Sequence, residues 1–151
     1  MKILMVCLGN ICRSPLAEGI MAHKIQQNEL DWEVDSAGTG AWHAGELPDP
    51  RSIQVAKKNK IDITHQRARQ FKAEDLDDFD LILTMDASNY QNVKKLASTP
   101  THESKIHLIM NFVNPDMNQV VPDPYYGDYG FENVFEMLDE ACDCVIEQYR
   151  S

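Results

Sequence analysis

The chain has 151 residues, 43% hydrophobic and 25% charged, with a formal net charge of −10. That length suits a single domain spanning 1–151 with a sizeable core, and the composition excludes a disordered, collagen-like or repeat chain. The acidity, which no cluster of lysine or arginine offsets, argues against nucleic acid and anionic membranes as partners; screening over about 10 Å at 0.1 M salt still leaves room for a local anion site.

Lys2 to Cys7 reads KILMVC, an apolar, β-rich run of the kind found in a strand buried on both faces. It is too short for a signal h-region or a membrane span, so a cytoplasmic protein is expected. Four cysteines do not resemble a secreted disulfide framework, and in a reducing compartment Cys7 and Cys12 matter individually. The strand runs into a loop, after which Ser14 and Pro15 predict a helix start, serine as N-cap and proline at the first helical position. Ala17, Met21 and Ile25 follow at i, i+4 spacing.

Further strands are expected at Trp32–Ser36, Asp80–Thr84 and Lys105–Met110, with a helix at Pro50–Asn59. The acidic run Glu74–Asp80 reads as a solvated face. Asn114–Gly130, rich in proline, glycine and aspartate, reads as a long loop, and long ordered loops are often functional. In the last segment Phe131, Val134, Phe135, Leu138, Ala141, Val145 and Tyr149 share one helical face. Strands alternating with helices imply a mainly parallel α/β sheet, in which ligands bind at the carboxyl ends of strands.

The loop after the first strand is Cys7, Leu8, Gly9, Asn10, Ile11, Cys12, Arg13 and Ser14, a C-x5-R-S sequence between strand and helix. Its N–H groups, together with the helix N-terminus, can converge on a phosphate. Arg13 adds a planar fork for two phosphoryl oxygens. The same field favours a reactive thiolate at Cys7. Gly9 is expected to let the backbone turn, while the Ser14 hydroxyl either caps the helix or donates to the Cys7 sulfur. The bare spacing is weak evidence, and a plain strand end, turn and helix cap stays open on these residues alone. His23, His43, His102 and His107 lack paired ligand spacing, and Cys142 and Cys144 cannot share a helix face, so no metal site is expected.

MKILMVCLGNICRSPLAE closely resembles the N-terminus of the low-molecular-weight protein tyrosine phosphatases. The similarity continues through DSAGTGAWHAGELPDPRS, RARQF, FDLILTMDASN and VPDPYYG. The resemblance implies an α/β, flavodoxin-like single domain with a four-stranded parallel sheet and helices on both faces. It implies a phosphocysteine on Cys7, phosphate binding by Arg13 and the amides of residues 8–14, inorganic phosphate as product, and no metal or organic cofactor. By the same resemblance Asp123 protonates the leaving group and then activates water, whereas on sequence alone Asp-Pro is more often a turn. Trp42, Tyr125 and Tyr126 would wall the aryl ring, and Cys12 would trap an oxidised Cys7 as a reversible disulfide.

Asn10 would brace the loop by hydrogen bonding. Its usual histidine partner is replaced here by Gln66, with His65 displaced by one position. The implied substrates are phosphotyrosine proteins, with tyrosine autokinases one class that family analogy offers. Two rivals share the scaffold. Arginine phosphatases carry threonine where this chain has Ile11, and arsenate reductases need further cysteines near the third strand, where Phe71–Lys105 has none. A third rival is a module that holds phosphate without hydrolysing it.

Overall fold

The computed structural model describes residues 1–124 and 130–150. Four strands, β1 (Lys2–Cys7), β2 (Glu33–Gly38), β3 (Leu81–Thr84) and β4 (Ile106–Leu108), form one sheet in the order β2-β1-β3-β4 with every pairing parallel. The helices are α1 (Arg13–Gln27), α2 (Pro50–Lys58), α3 (Asp75–Asp78), α4 (Ala87–Lys94), α5 (Pro100–Ser104) and α6 (Gly130–Tyr149). This is the flavodoxin-like doubly wound arrangement, in which the chain leaves β1 toward one edge and returns toward the other, opening a crevice between the ends of β1 and β3.

The alternation of strand side chains divides the core. Ile3, Met5 and Cys7 of β1 point into a cluster with Leu16, Ile20 and Met21 of α1 and with Val134, Leu138 and Val145 of α6. Leu4 and Val6 point the other way, toward Phe71, Leu76, Ile82, Val93 and Ile106. Residues 3–7 are all buried because β1 is central and covered on both faces.

Several local expectations shift. Helix α1 starts at Arg13 with Cys12 at the N-cap, so Ser14 is not the cap and Pro15 is the third helical residue. β2 runs two residues further than expected, because Ala37 and Gly38 pair with Val6 and Cys7. β4 stops at Leu108, and Ile109–Phe112 turns into a 3-10 helix. On α6, Cys142 and Ile146 join the buried face while Tyr149 at its end is exposed. The acidic run is not wholly solvated, since Asp75 is 1% exposed and its carboxylate accepts from Arg69 Nη1 at 3.0 Å. Among the described residues no helix is long and apolar enough to cross a membrane.

Candidate active site

The carboxyl ends of three strands converge here. Cys7 ends β1, Gly38 lies beside it at the end of β2, and Asp86 follows β3. Residues 8–12 form the loop from β1 to α1. Its outer side is fastened by backbone bonds: the carbonyls of Cys7, Leu8 and Ile11 accept from the N–H groups of Thr39, Gly40 and Asp49 at 2.9, 2.9 and 2.7 Å. With those carbonyls turned outward, the N–H groups of Gly9, Asn10 and Ile11 have no protein acceptor among the described residues. Backbone donors in folded proteins are nearly all satisfied, so a ring of free amides beside a helix N-terminus is a ready anion cradle.

The turn itself is made by Asn10, whose φ of 57° lies in the left-handed region. Asparagine tolerates that region better than most residues. Gly9 was the expected turning residue, but its missing side chain serves packing: a Cβ there would stand 2.9 Å from His43 Cδ2. Gly38 makes room for the loop from below, where a Cβ would meet the Leu8 carbonyl oxygen at 2.8 Å and Asn10 N at 3.0 Å.

Asn10 is 2% exposed and is the hub of the loop's support. Its Nδ2 donates to Ser14 Oγ at 2.8 Å and to Ser36 Oγ at 2.9 Å, and its Oδ1 accepts from the Arg69 N–H at 3.0 Å. Both amide hydrogens are thereby used. The Ser14 hydroxyl is left free to face Cys7 Sγ, 3.0 Å away. Neither residue near the missing histidine braces Asn10: buried Gln66 turns its Nε2 to the Pro15 carbonyl at 3.1 Å, leaving its Oε1 without a partner, and His65 is exposed. The RARQF segment supports the loop through its backbone, since Arg69 O and Phe71 N bracket Gly38 with bonds of 2.8 and 2.7 Å.

Arg13 is 7% exposed. Its Nη1 donates to Asp86 Oδ2 at 2.8 Å and to the Val121 carbonyl at 2.9 Å. Nothing in the residue pattern around Asp86 or Ser36 singled them out beforehand, because their roles arise from contacts across the sheet. A cavity of 120 Å³ gathers Cys7, Leu8, Gly9, Ile11, Cys12, Arg13, Trp42, His43 and Asp123. Trp42 is 73% exposed, and Asp123 is exposed as well. Cys7 and Cys12 are both buried, and each is a thiol rather than half of a disulfide. Tyr125 and Tyr126 lie outside the described residues. Volume alone does not mark this site: a larger hollow of 380 Å³ between Ile53 and Thr64 contains neither a thiol nor an amide cradle.

A thiol inside an amide ring, an arginine and a carboxyl group in one cavity suit transfer of a tetrahedral anion to sulfur. The family model for low molecular weight phosphotyrosine protein phosphatase matches residues 2–150. Over 129 residues the chain is 41% identical to the low molecular weight phosphotyrosine protein phosphatase of Schizosaccharomyces pombe, a match covering 83% of this chain and 81% of that one. Among solved structures it is similar to the protein tyrosine phosphatase of Entamoeba histolytica, with TM-score 0.91 and 37% identity over 98% of this chain and 96% of that one. It is also similar to the Drosophila arginine phosphatase, with TM-score 0.92 and 36% identity over 100% and 99%. With its sheet order, its strand-to-helix loop and these matches along almost its whole length, the chain belongs to the low molecular weight phosphotyrosine protein phosphatase family, a family of cysteine-dependent enzymes.

Proposed function

We propose that the protein hydrolyses phosphotyrosine in proteins through a phosphocysteine on Cys7. The observation that carries this reading is the set of free N–H groups at Gly9, Asn10 and Ile11 around a cavity shared by Cys7, Arg13 and Asp123. The Cys7 thiolate attacks phosphorus as the bond to the tyrosyl oxygen breaks. The loop amides and Arg13 take up the charge on the phosphoryl oxygens. A free tyrosyl oxygen has a pKa near 10, so the Asp123 carboxylic acid gives it a proton as it leaves. Water then attacks phosphorus, returning a proton to the Asp123 carboxylate. The S–P bond breaks, and inorganic phosphate departs. The Ser14 hydroxyl, 3.0 Å from Cys7 Sγ, donates to the sulfur as it regains its charge.

The similarity to an arginine phosphatase shows that the scaffold serves more than one phosphoamino acid. Ile11, which lines the cavity, supports the tyrosine reading, since it presents a hydrocarbon at the position where the family resemblance implies a threonine in arginine phosphatases. The test is hydrolysis of an aryl phosphate without added metal, compared across phosphotyrosine, phosphoserine and phosphoarginine peptides. Cys7→Ser is expected to abolish turnover and Asp123→Asn to slow it sharply. Equal activity of Cys7→Ser and wild type removes the nucleophile assignment, and a preference for phosphoarginine removes the substrate assignment.

A further inference from the structure

Behind the loop a chain of hydrogen bonds continues past Asn10. Ser36 Oγ, which accepts from Asn10 Nδ2, donates in turn to Glu18 Oε1 at 2.6 Å. Glu18 lies on α1 and lines a separate cavity of 260 Å³ with Gln66, whose buried Oε1 has no partner. The donors of this chain have little freedom. Asn10 spends both amide hydrogens on Ser14 and Ser36, so each hydroxyl must send its own hydrogen elsewhere: Ser14 toward Cys7 Sγ and Ser36 toward Glu18.

We propose that Glu18 is a positioning residue for Cys7, its carboxylate anchoring the Ser36 hydroxyl and thereby holding Asn10 so that the Ser14 hydroxyl is aimed at the sulfur. This rests on Cys7 being the nucleophile. An ionised Glu18 accepts the Ser36 hydrogen strongly. A protonated Glu18 accepts it weakly and competes as a donor for the oxygen that Asn10 already occupies, which loosens the Ser36 end of the relay.

The groups around Glu18 leave its charge state open to pH. Arg69 pairs instead with Asp35 and Asp75, at 3.1 and 3.0 Å. Asp35 is a like charge beside it on β2. Around the cavity stand His23 from α1, and Lys60, Asp62 and His65 from the segment after α2, none of which bonds the carboxylate among the described residues. Burial pushes the Glu18 carboxyl up to about 7, with Asp35 adding to the rise and the Ser36 bond and Arg69 opposing it. The relay therefore tightens as pH rises through neutrality.

The test follows alkylation of Cys7 by iodoacetamide from pH 5.5 to 8.5, read by mass spectrometry of the Cys7 peptide, in wild type, Glu18→Gln and Ser36→Ala. Wild type is expected to show an inflection near pH 7 that follows Glu18. Both variants are expected to lose it, with rates differing from wild type by about threefold or more above pH 7. Profiles matching wild type within experimental error in both variants overturn the relay. Carboxyl-labelled NMR of the unmodified protein supplies a reading that needs no variant: titration of Glu18 near pH 7 supports the pH dependence of the relay, and titration in the ordinary carboxylate range overturns that dependence. Hydrolysis surviving in Cys7→Ser overturns the nucleophile assignment itself. Hydrolysis lost in Cys7→Ser, with unchanged Glu18→Gln and Ser36→Ala profiles, overturns the relay alone.

Discussion

Asp86 holds Arg13 from behind: its Oδ2 accepts from Arg13 Nη1 at 2.8 Å while its Oδ1 accepts the Asn89 N–H, also at 2.8 Å, as the N-cap of α4. One carboxylate thus fixes both the guanidinium and the start of a helix.

Replacing Asp86 by asparagine separates these duties. The amide oxygen can still cap α4, whereas the charge-assisted bond to Arg13 is lost. Hydrogen bonds to charged groups are worth about 1.5–3 kcal/mol, so Asp86→Asn should lower kcat/KM for an aryl phosphate roughly ten- to a hundredfold with little change in stability. Steady-state kinetics beside a urea melt check this, and an unchanged kcat/KM would show that Arg13 is held well enough without the charge.

Asn10 combines a left-handed backbone with three side-chain hydrogen bonds. Asn10→Gly keeps the backbone and loses the bonds, while Asn10→Ala loses both. The alanine variant should be less stable than the glycine variant by about 1 kcal/mol, yet both should lose activity to a similar degree because the aim of Ser14 goes in each. Comparing denaturation midpoints and kcat for the pair makes the check; activity retained in the glycine variant would mean that backbone shape alone suffices.

Arg69 bridges Asp35 and the buried Asp75. Arg69→Met leaves the Asp75 carboxylate facing the core with the Lys72 N–H still bonded to it at 2.9 Å. Since Arg69 is about a third exposed, the cost should fall at about 2–3 kcal/mol, below the 3–5 of a fully buried pair. Adding Asp75→Leu should restore much of it. Urea midpoints for the single and double variants give the coupling, and a double variant no more stable than Arg69→Met contradicts the account.

Glu18 should also leave a mark on stability. Its folded-state value is raised from 4.5 to about 7, so between those pH values the native state holds a proton that the unfolded chain has released. The stability this represents is fully present below about pH 4.5 and is lost as pH rises through 7. The total is no more than roughly 3 kcal/mol. Glu18→Gln should therefore gain on wild type as pH rises from 5 to 8, and a difference that stays flat over this range would mean an ordinary Glu18. If the relay to Cys7 holds, the ionised form that aims the nucleophile is the form that costs stability, a familiar exchange at active sites.

What could be read from the residues follows how far the contacts reach along the chain. The loop from Cys7 to Ser14 was legible because its thiol, amides and guanidinium sit in eight consecutive residues, and β1 was legible because it is apolar on both faces. Helices α3, α4 and α5 have four, eight and five residues, too short for periodicity to declare them. The partners of Arg13 and Asn10 were hidden for another reason: Asp86 is 73 residues from Arg13 and Arg69 is 59 from Asn10, and only the sheet order brings them together. Asp75 was misread with its acidic neighbours because a charge run looks solvated until one member is found facing an arginine. Gln66 stands out as a departure, yet what braces Asn10 in the absence of that histidine, Ser36 and the Arg69 backbone, carries no local signature.

Val121 is pinned from two directions, its N–H on the Met85 carbonyl at 2.8 Å and its own carbonyl on Arg13 at 2.9 Å. Asp123 is only two residues further on, and two residues of extended chain reach about 7 Å at most. The carboxyl group is thus leashed to the guanidinium and cannot retreat far when a bulky molecule arrives. Room for molecules of different shape lies instead at Trp42, which lines the same cavity and stands largely in solvent. One small opening is in this way lined both by a tethered residue and by one that packing leaves largely uncovered.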